Sequence, residues 1–128
     1  MAQVLAVGCG GFLGCSFRFG LTKLFDAFGQ FPIATLMANV IAGFLIGFFT
    51  GAERGGRWMT PHVKLFLTTG MLGGLSTFST FSLETIRLFA EERYLHAVGN
   101  IALNLALSFG GVVLGLAAAR LLFGENAA

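Results

Sequence analysis

The run from Gly70 to Phe81 reads GMLGGLSTFSTF, and it interrupts an apolar stretch otherwise long enough to cross a membrane. Gly70, Gly73 and Gly74 precede four hydroxyl residues, Ser76, Thr77, Ser79 and Thr80, set around Phe78 and Phe81. These residue types offer coordination rather than bond-making. A helix broken here releases backbone carbonyls at Gly73 and Ser76, and carbonyls of that kind coordinate hard cations such as sodium. Phe78 and Phe81, three apart, share a helix face. An aromatic ring has a negative face and a positive edge, so rings presented edge-on can accept a small hard anion without a full charge that would trap it. In lipid, broken backbone persists only where protein covers it or where it lines a water-filled path. The segment is therefore read as the working part of the chain.

Other polar residues lie at membrane depth. Asn39 falls near the centre of ATLMANVIAGFLIG. A buried asparagine either ties helices together or offers two amide protons to an anion. Asn100, Asn104 and Ser108 recur every four residues and so share one helical face, which reads as a polar track rather than isolated glue. Arg18, near the end of the first apolar segment, is either a boundary anchor or the source of an electropositive vestibule that concentrates anions.

The chain that must position these groups has 128 residues, 55% hydrophobic and 11% charged, with a mean hydropathy of +0.82. Soluble domains carry about 25% charged residues, so the composition is that of a membrane protein. The net charge of +2 is small and scattered, which excludes nucleic acid as a partner. Cys9 and Cys15 fall on roughly opposite sides of a helix and are read as packing residues, and His62 and His96 fall in loops. Without a Ser/His/Asp arrangement, a phosphate-binding glycine loop or a metal-ligand cluster in the sequence, enzymatic activity has no support. The N-terminus lacks the basic region and cleavage site of a signal peptide, so the first apolar segment is expected to stay as a transmembrane helix.

The reading is an all-α membrane protein, one four-helix transmembrane unit over residues 1–128. Its helices are predicted near 3–21, 31–50, 63–90 with a break at 71–76, and 97–123, each close to the roughly 20 residues a bilayer requires. Pro32 is placed in the first turn of the second. Arg54, Arg57, Lys64 and Arg120 fall at one end of the bundle and Arg18, Lys23, Arg87 and Arg93 at the other. Four against four leaves the positive-inside rule without a preferred orientation, so insertion in both directions and pairing of oppositely oriented copies is expected. Four short helices also enclose little space, whereas eight enclose more. Small-residue spacings at Gly10, Gly11, Gly14, Gly43 and Gly47 allow close helix contact, available to such a dimer. Glu84 is expected to pair with Arg87 near the interface, leaving no carboxylate mid-membrane. That absence weighs against the alternative of a small multidrug-type proton-coupled transporter, which needs a membrane-embedded acid. A purely structural subunit is a second alternative.

Three stretches together resemble the Fluc (CrcB-type) fluoride channels: GGFLGCSFRFG at Gly10 to Gly20, TLMANVIAGFLIG at Thr35 to Gly47, and GMLGGLSTFSTFSLE at Gly70 to Glu84. The third is the most specific. The resemblance implies an antiparallel, dual-topology homodimer embedded in the lipid of the bacterial inner membrane, with two pores that passively export fluoride. It implies that Asn39 lines the pore and hydrogen-bonds fluoride, that Phe78 and Phe81 form an aromatic box, and that Ser79 and Thr80 are polar neighbours of the pore or the break. Gly73 and Ser76 are implied to give carbonyls to a structural sodium ion at the dimer interface, and Arg18 to sit at the vestibule. Asn104 and Ser108 are assigned to the pore as part of the polar track. Asn100 and Asn104 stand where many members carry a tyrosine and then a serine, and Ser76 where some carry threonine.

Overall fold

The computed structural model describes residues 1–29, 31–55 and 59–124, and all of its regular structure is helical. Helix α1 spans Ala2–Phe25 and α2 spans Ile33–Gly55. The third apolar stretch is built in pieces: α3 (Pro61–Lys64), a π-helix (Leu65–Leu72), α4 (Gly73–Leu75) and α5 (Phe78–Ala90). Helix α6, Tyr94–Phe123, closes the chain. Three of these, α1, α2 to Arg54, and α6, are long and apolar enough to cross a membrane.

Local chemistry sets the ends. Pro32 precedes α2 rather than entering it, and its carbonyl accepts from Leu36 N–H at 3.2 Å. Pro61 is the first residue of α3, where its missing N–H costs nothing, and Thr60 caps it by accepting from Val63 N–H at 3.3 Å. Between α5 and α6 the chain reverses through Glu92, whose φ of 59° lies in the left-handed region. Arg93 N–H returns to the Leu88 carbonyl at 2.9 Å, so α6 begins at Tyr94, earlier than expected. α1 also runs past Leu21 to Phe25, and Thr22 stays in the helix with its hydroxyl donating to the Arg18 carbonyl at 3.1 Å.

The break is narrower than 71–76. Helical backbone persists through Leu75, and only Ser76 (φ −73°, ψ 150°) and Thr77 (φ −151°, ψ 119°) are extended. The disturbance begins earlier in another form, as the π-helix. Such i→i+5 turns occur mostly as single bulges, whereas this one runs for eight residues. Inside it the Thr68 hydroxyl donates to the Lys64 carbonyl at 2.8 Å, a side-chain bond that competes with the regular ladder.

Two glycine seams hold the bundle. Along the first, α1 lies against the π-helix and α4: a Cβ on Gly10 would strike the Phe66 carbonyl, one on Gly14 the Met71 carbonyl, and one on Gly74 would approach the Gly11 carbonyl to 2.8 Å. Along the second, α2 lies against α6: Gly47 faces the Val112 carbonyl, Gly115 the Phe44 carbonyl, and a Cβ on Gly43 would come within 2.7 Å of the Ser108 carbonyl. In both seams residue numbers rise together, so each joins helices running the same way. The glycines at 10, 14, 43 and 47 are thus used in close contacts within one chain. The small core lies where the two pairs meet, with Ala38, Ala42, Leu72 and Leu75 buried against Leu21, Ile41, Leu45 and Met71.

Of the basic residues read from the sequence, Arg57 lies outside the described residues. Lys64 pairs with Glu53 at 2.9 Å, and Lys23 with Asp26 at 3.9 Å. Glu84 takes a different partner from the expected Arg87: its Oε1 accepts from Thr35 Oγ1 at 2.8 Å. No Arg87–Glu84 ion pair is present among the described residues. The carboxylate faces α2, where a hydroxyl lies closer than the guanidinium.

Candidate functional site

The extended residues Ser76 and Thr77 put two helix ends back to back, and both sets of orphaned amide groups need partners. Thr77 caps α5: its Oγ1 accepts from Thr80 N–H at 3.2 Å and donates to Thr80 Oγ1 at 3.0 Å, with Ser79 Oγ at 3.3 Å. Asn39 satisfies the Thr77 backbone from α2. Its Oδ1 accepts from Thr77 N–H at 2.8 Å, and its Nδ2 donates to the Thr77 carbonyl at 3.3 Å and to Asn104 Oδ1 at 2.9 Å. The asparagine is at once a splint for the break and a link to α6.

These caps have a second consequence. In a continuous helix Gly73 C=O would receive Thr77 N–H, which goes to Asn39 instead. Ser76 C=O would receive Thr80 N–H, which goes to the Thr77 hydroxyl. The carbonyls at Gly73 and Ser76 are therefore released from the helical ladder, as at any helix end, and both residues border one groove.

That groove, about 400 Å³, lies between α2, the broken segment and α6. It collects Asn39, Gly73, Ser76, Phe78, Phe81, Asn104 and Ser108. The two rings lie 5.5 Å apart between centroids and tilted by 52°. They differ sharply in environment: Phe81 is 8% exposed and Phe78 is 76% exposed. The Ser108 hydroxyl is buried without a hydrogen-bond partner among the described residues, the one track member left unsatisfied. Ser79 and Thr80 are absent from the groove wall and serve the cap. Arg18 lies apart on α1, where its guanidinium donates to Cys15 Sγ at 4.0 Å.

The expected track along α6 divides. Asn100 is fully buried and Asn104 nearly so. Asn104 Nδ2 donates to Asn100 Oδ1 at 2.8 Å and to the Asn100 carbonyl at 3.0 Å. Asn100 Nδ2 donates to Thr85 Oγ1 at 2.9 Å, and Thr85 Oγ1 to the Phe81 carbonyl at 2.8 Å. Of the three, Ser108 brings to the groove a hydroxyl without a partner among the described residues. Sequence reasoning did not single out Thr77, Thr85 or Thr35. The signal for Thr77 was available, since a threonine three residues before another hydroxyl residue at a helix start is cap chemistry.

Three spanning helices around the broken third stretch define a multi-pass α-helical membrane protein. The chain belongs to the family described as CrcB-like protein, Camphor Resistance (CrcB), which matches residues 5–116. It is 46% identical over 122 residues to the fluoride-specific ion channel FluC of Clostridium perfringens (strain 13 / Type A), covering 93% of this chain and 94% of that one. It is 43% identical over 123 residues to FluC of Clostridium novyi (strain NT), with 93% and 94% covered. With FluC of Pyrococcus furiosus it shares 40% over 120 residues, covering 94% and 98%.

Proposed function

We propose that this chain is the subunit of a fluoride-selective channel that lets fluoride leave the cell down its electrochemical gradient, in the bacterial inner membrane. The observation that carries the reading is the groove beside the break, where Phe78, Phe81 and the unpartnered Ser108 hydroxyl meet in a chain at least 40% identical to fluoride channels along most of its length. The activity is passive conduction, not catalysis. In acid surroundings hydrogen fluoride enters cells neutral and dissociates at the higher internal pH, so a selective leak lowers the internal load without energy coupling. Ring edges, a hydroxyl and amide protons replace water around fluoride and fit the larger chloride badly.

The working unit in this reading is an antiparallel homodimer of dual topology. Three features support it. A single copy leaves Phe78 and much of its apolar surface uncovered. The apolar core buried within one chain is small. The basic residues are divided between both ends. Phe78 and Phe81 then form the aromatic box, Asn39, Asn104 and Ser108 line the path, Ser79 and Thr80 fix the first turn of α5, and Arg18 stands at the vestibule. The released carbonyls of Gly73 and Ser76 suit a hard cation, and two chains related by a two-fold axis would supply a four-oxygen set for a structural sodium ion. That ion would supply positive charge tying the two breaks together.

Fluoride efflux from liposomes, followed with a fluoride electrode and repeated for chloride, tests the activity. Cross-linking in native membranes, with tags accessible from both sides, tests the dimer and its topology.

A further inference from the structure

The amide side chains beside the break form a relay that runs in one direction. Asn39 Nδ2 donates to Asn104 Oδ1, Asn104 Nδ2 to Asn100, Asn100 Nδ2 to Thr85 Oγ1, and Thr85 Oγ1 to the Phe81 carbonyl. At its head, Asn39 exchanges both kinds of hydrogen bond with the Thr77 backbone. The relay therefore starts at Thr77, crosses α2 and α6, and returns to α5 at Phe81, enclosing the first turn that carries Phe78. Thr85, Asn100 and Asn104 are buried and Asn39 is partly buried, and Asn100 is the largest fully buried side chain among the described residues. Each amide is fixed by the next, because turning one over would set donor against donor and acceptor against acceptor.

Both amide protons of Asn39 are spent in this arrangement, one on the Thr77 carbonyl and one on Asn104 Oδ1. An anion in the groove meets Ser108 Oγ as a free donor, but it gains Asn39 only by displacing an acceptor. We propose that Asn104 is a positioning residue that competes with fluoride for the Asn39 amide, so that its carbonyl oxygen sets how tightly the pore holds the ion. This rests on the fluoride-channel reading. Asn100 then serves to hold the Asn104 amide in the competing orientation. The arrangement suits conduction, which needs a site able to bind an ion and let it go.

The test is the fluoride dependence of bilayer current. Asn104→Ala withdraws the competing oxygen, and the half-saturating fluoride concentration is expected to fall about fivefold, the ratio that loss of one competing hydrogen bond gives. In an Asn39→Ser background the same substitution is expected to leave half-saturation unchanged. If Asn104 itself binds fluoride, half-saturation rises instead, and if it is structural glue, half-saturation does not move; either result overturns the proposal. Nuclear magnetic resonance of the wild-type dimer gives an answer that needs no variant to fold. Added fluoride is expected to shift the Asn39 side-chain amide signals and leave those of Asn100 in place, and shifts at Asn104 without Asn39 overturn it. Absence of fluoride current from the wild-type dimer removes the channel reading itself, a different failure.

Discussion

The glycine seams and the groove beside the break are both places where helices meet, yet they are built on opposite terms. Along the seams, backbone lies against backbone with no room for a methyl group, and the hydrogen bonds stay within each helix. At the groove, the backbone is interrupted, side chains complete its hydrogen bonds, and space is left open. The seams can be dry and rigid because helix backbone needs nothing from its surroundings. The break needs partners, and the asparagines and threonines supply them. A membrane protein with little core of its own thus separates the parts that hold shape from the part where space is left open.

The largest effect is expected where the seams are filled. Gly14→Ala and Gly47→Ala each place a carbon against a backbone carbonyl that cannot yield. Overpacking costs about 1–3 kcal/mol or more, and contact with backbone lies at the upper end. Loss of the folded protein, read as a collapse in helical signal and thermal midpoint in detergent, checks this. Retained stability in both variants would dissolve the contrast with the groove.

Asn39→Ala comes next. It strips the Thr77 N–H of its acceptor and is expected to cost about 1–3 kcal/mol, the range for an unsatisfied buried donor, together with most of the fluoride flux. Chemical denaturation and liposome efflux measured on one preparation separate the two losses.

The rings sharpen the comparison inside the groove. Phe81→Ile and Phe78→Ile are both expected to cut fluoride flux sharply while leaving a folded dimer. Buried Phe81 is expected to lose about 1 kcal/mol of stability, and exposed Phe78 close to none in a single copy. Unchanged flux in both variants would sink the aromatic-box account.

The smallest effects separate open groove from solvated surface. Ser108→Ala removes a hydroxyl without a partner, so no stability loss is expected and flux is expected to fall severalfold. Lys64→Gln breaks the Glu53 pair at the bundle end, worth no more than about 1 kcal/mol, and is expected to leave flux unaltered.

Much of this was legible in the sequence, and the failures follow a physical pattern. Hydropathy and length located the spans, and the glycine and hydroxyl run located the break, because these depend on local composition. The π-helix was not legible, since it arises from backbone bonds that Thr68 and the α1 contact disturb together. Glycine spacing announced close contact but could not say with what. Gly10, Gly14, Gly43 and Gly47 proved to be spent within the chain. Glu84 was assigned to Arg87 by nearness in sequence, whereas Thr35, far away in sequence, is its partner in space. The stripe of Asn100, Asn104 and Ser108 was seen as one face, yet one turn separates a fully bonded amide from a free hydroxyl. Which member stays free depends on what α2 and α5 bring opposite each, and a single helix does not carry that information.

Fluoride efflux from liposomes holding the purified protein, set beside chloride efflux from the same vesicles, tests the central claim most directly. Rapid fluoride loss with negligible chloride loss is the predicted result. Retention of fluoride by vesicles whose protein is folded and dimeric, or equal loss of both ions, would contradict it.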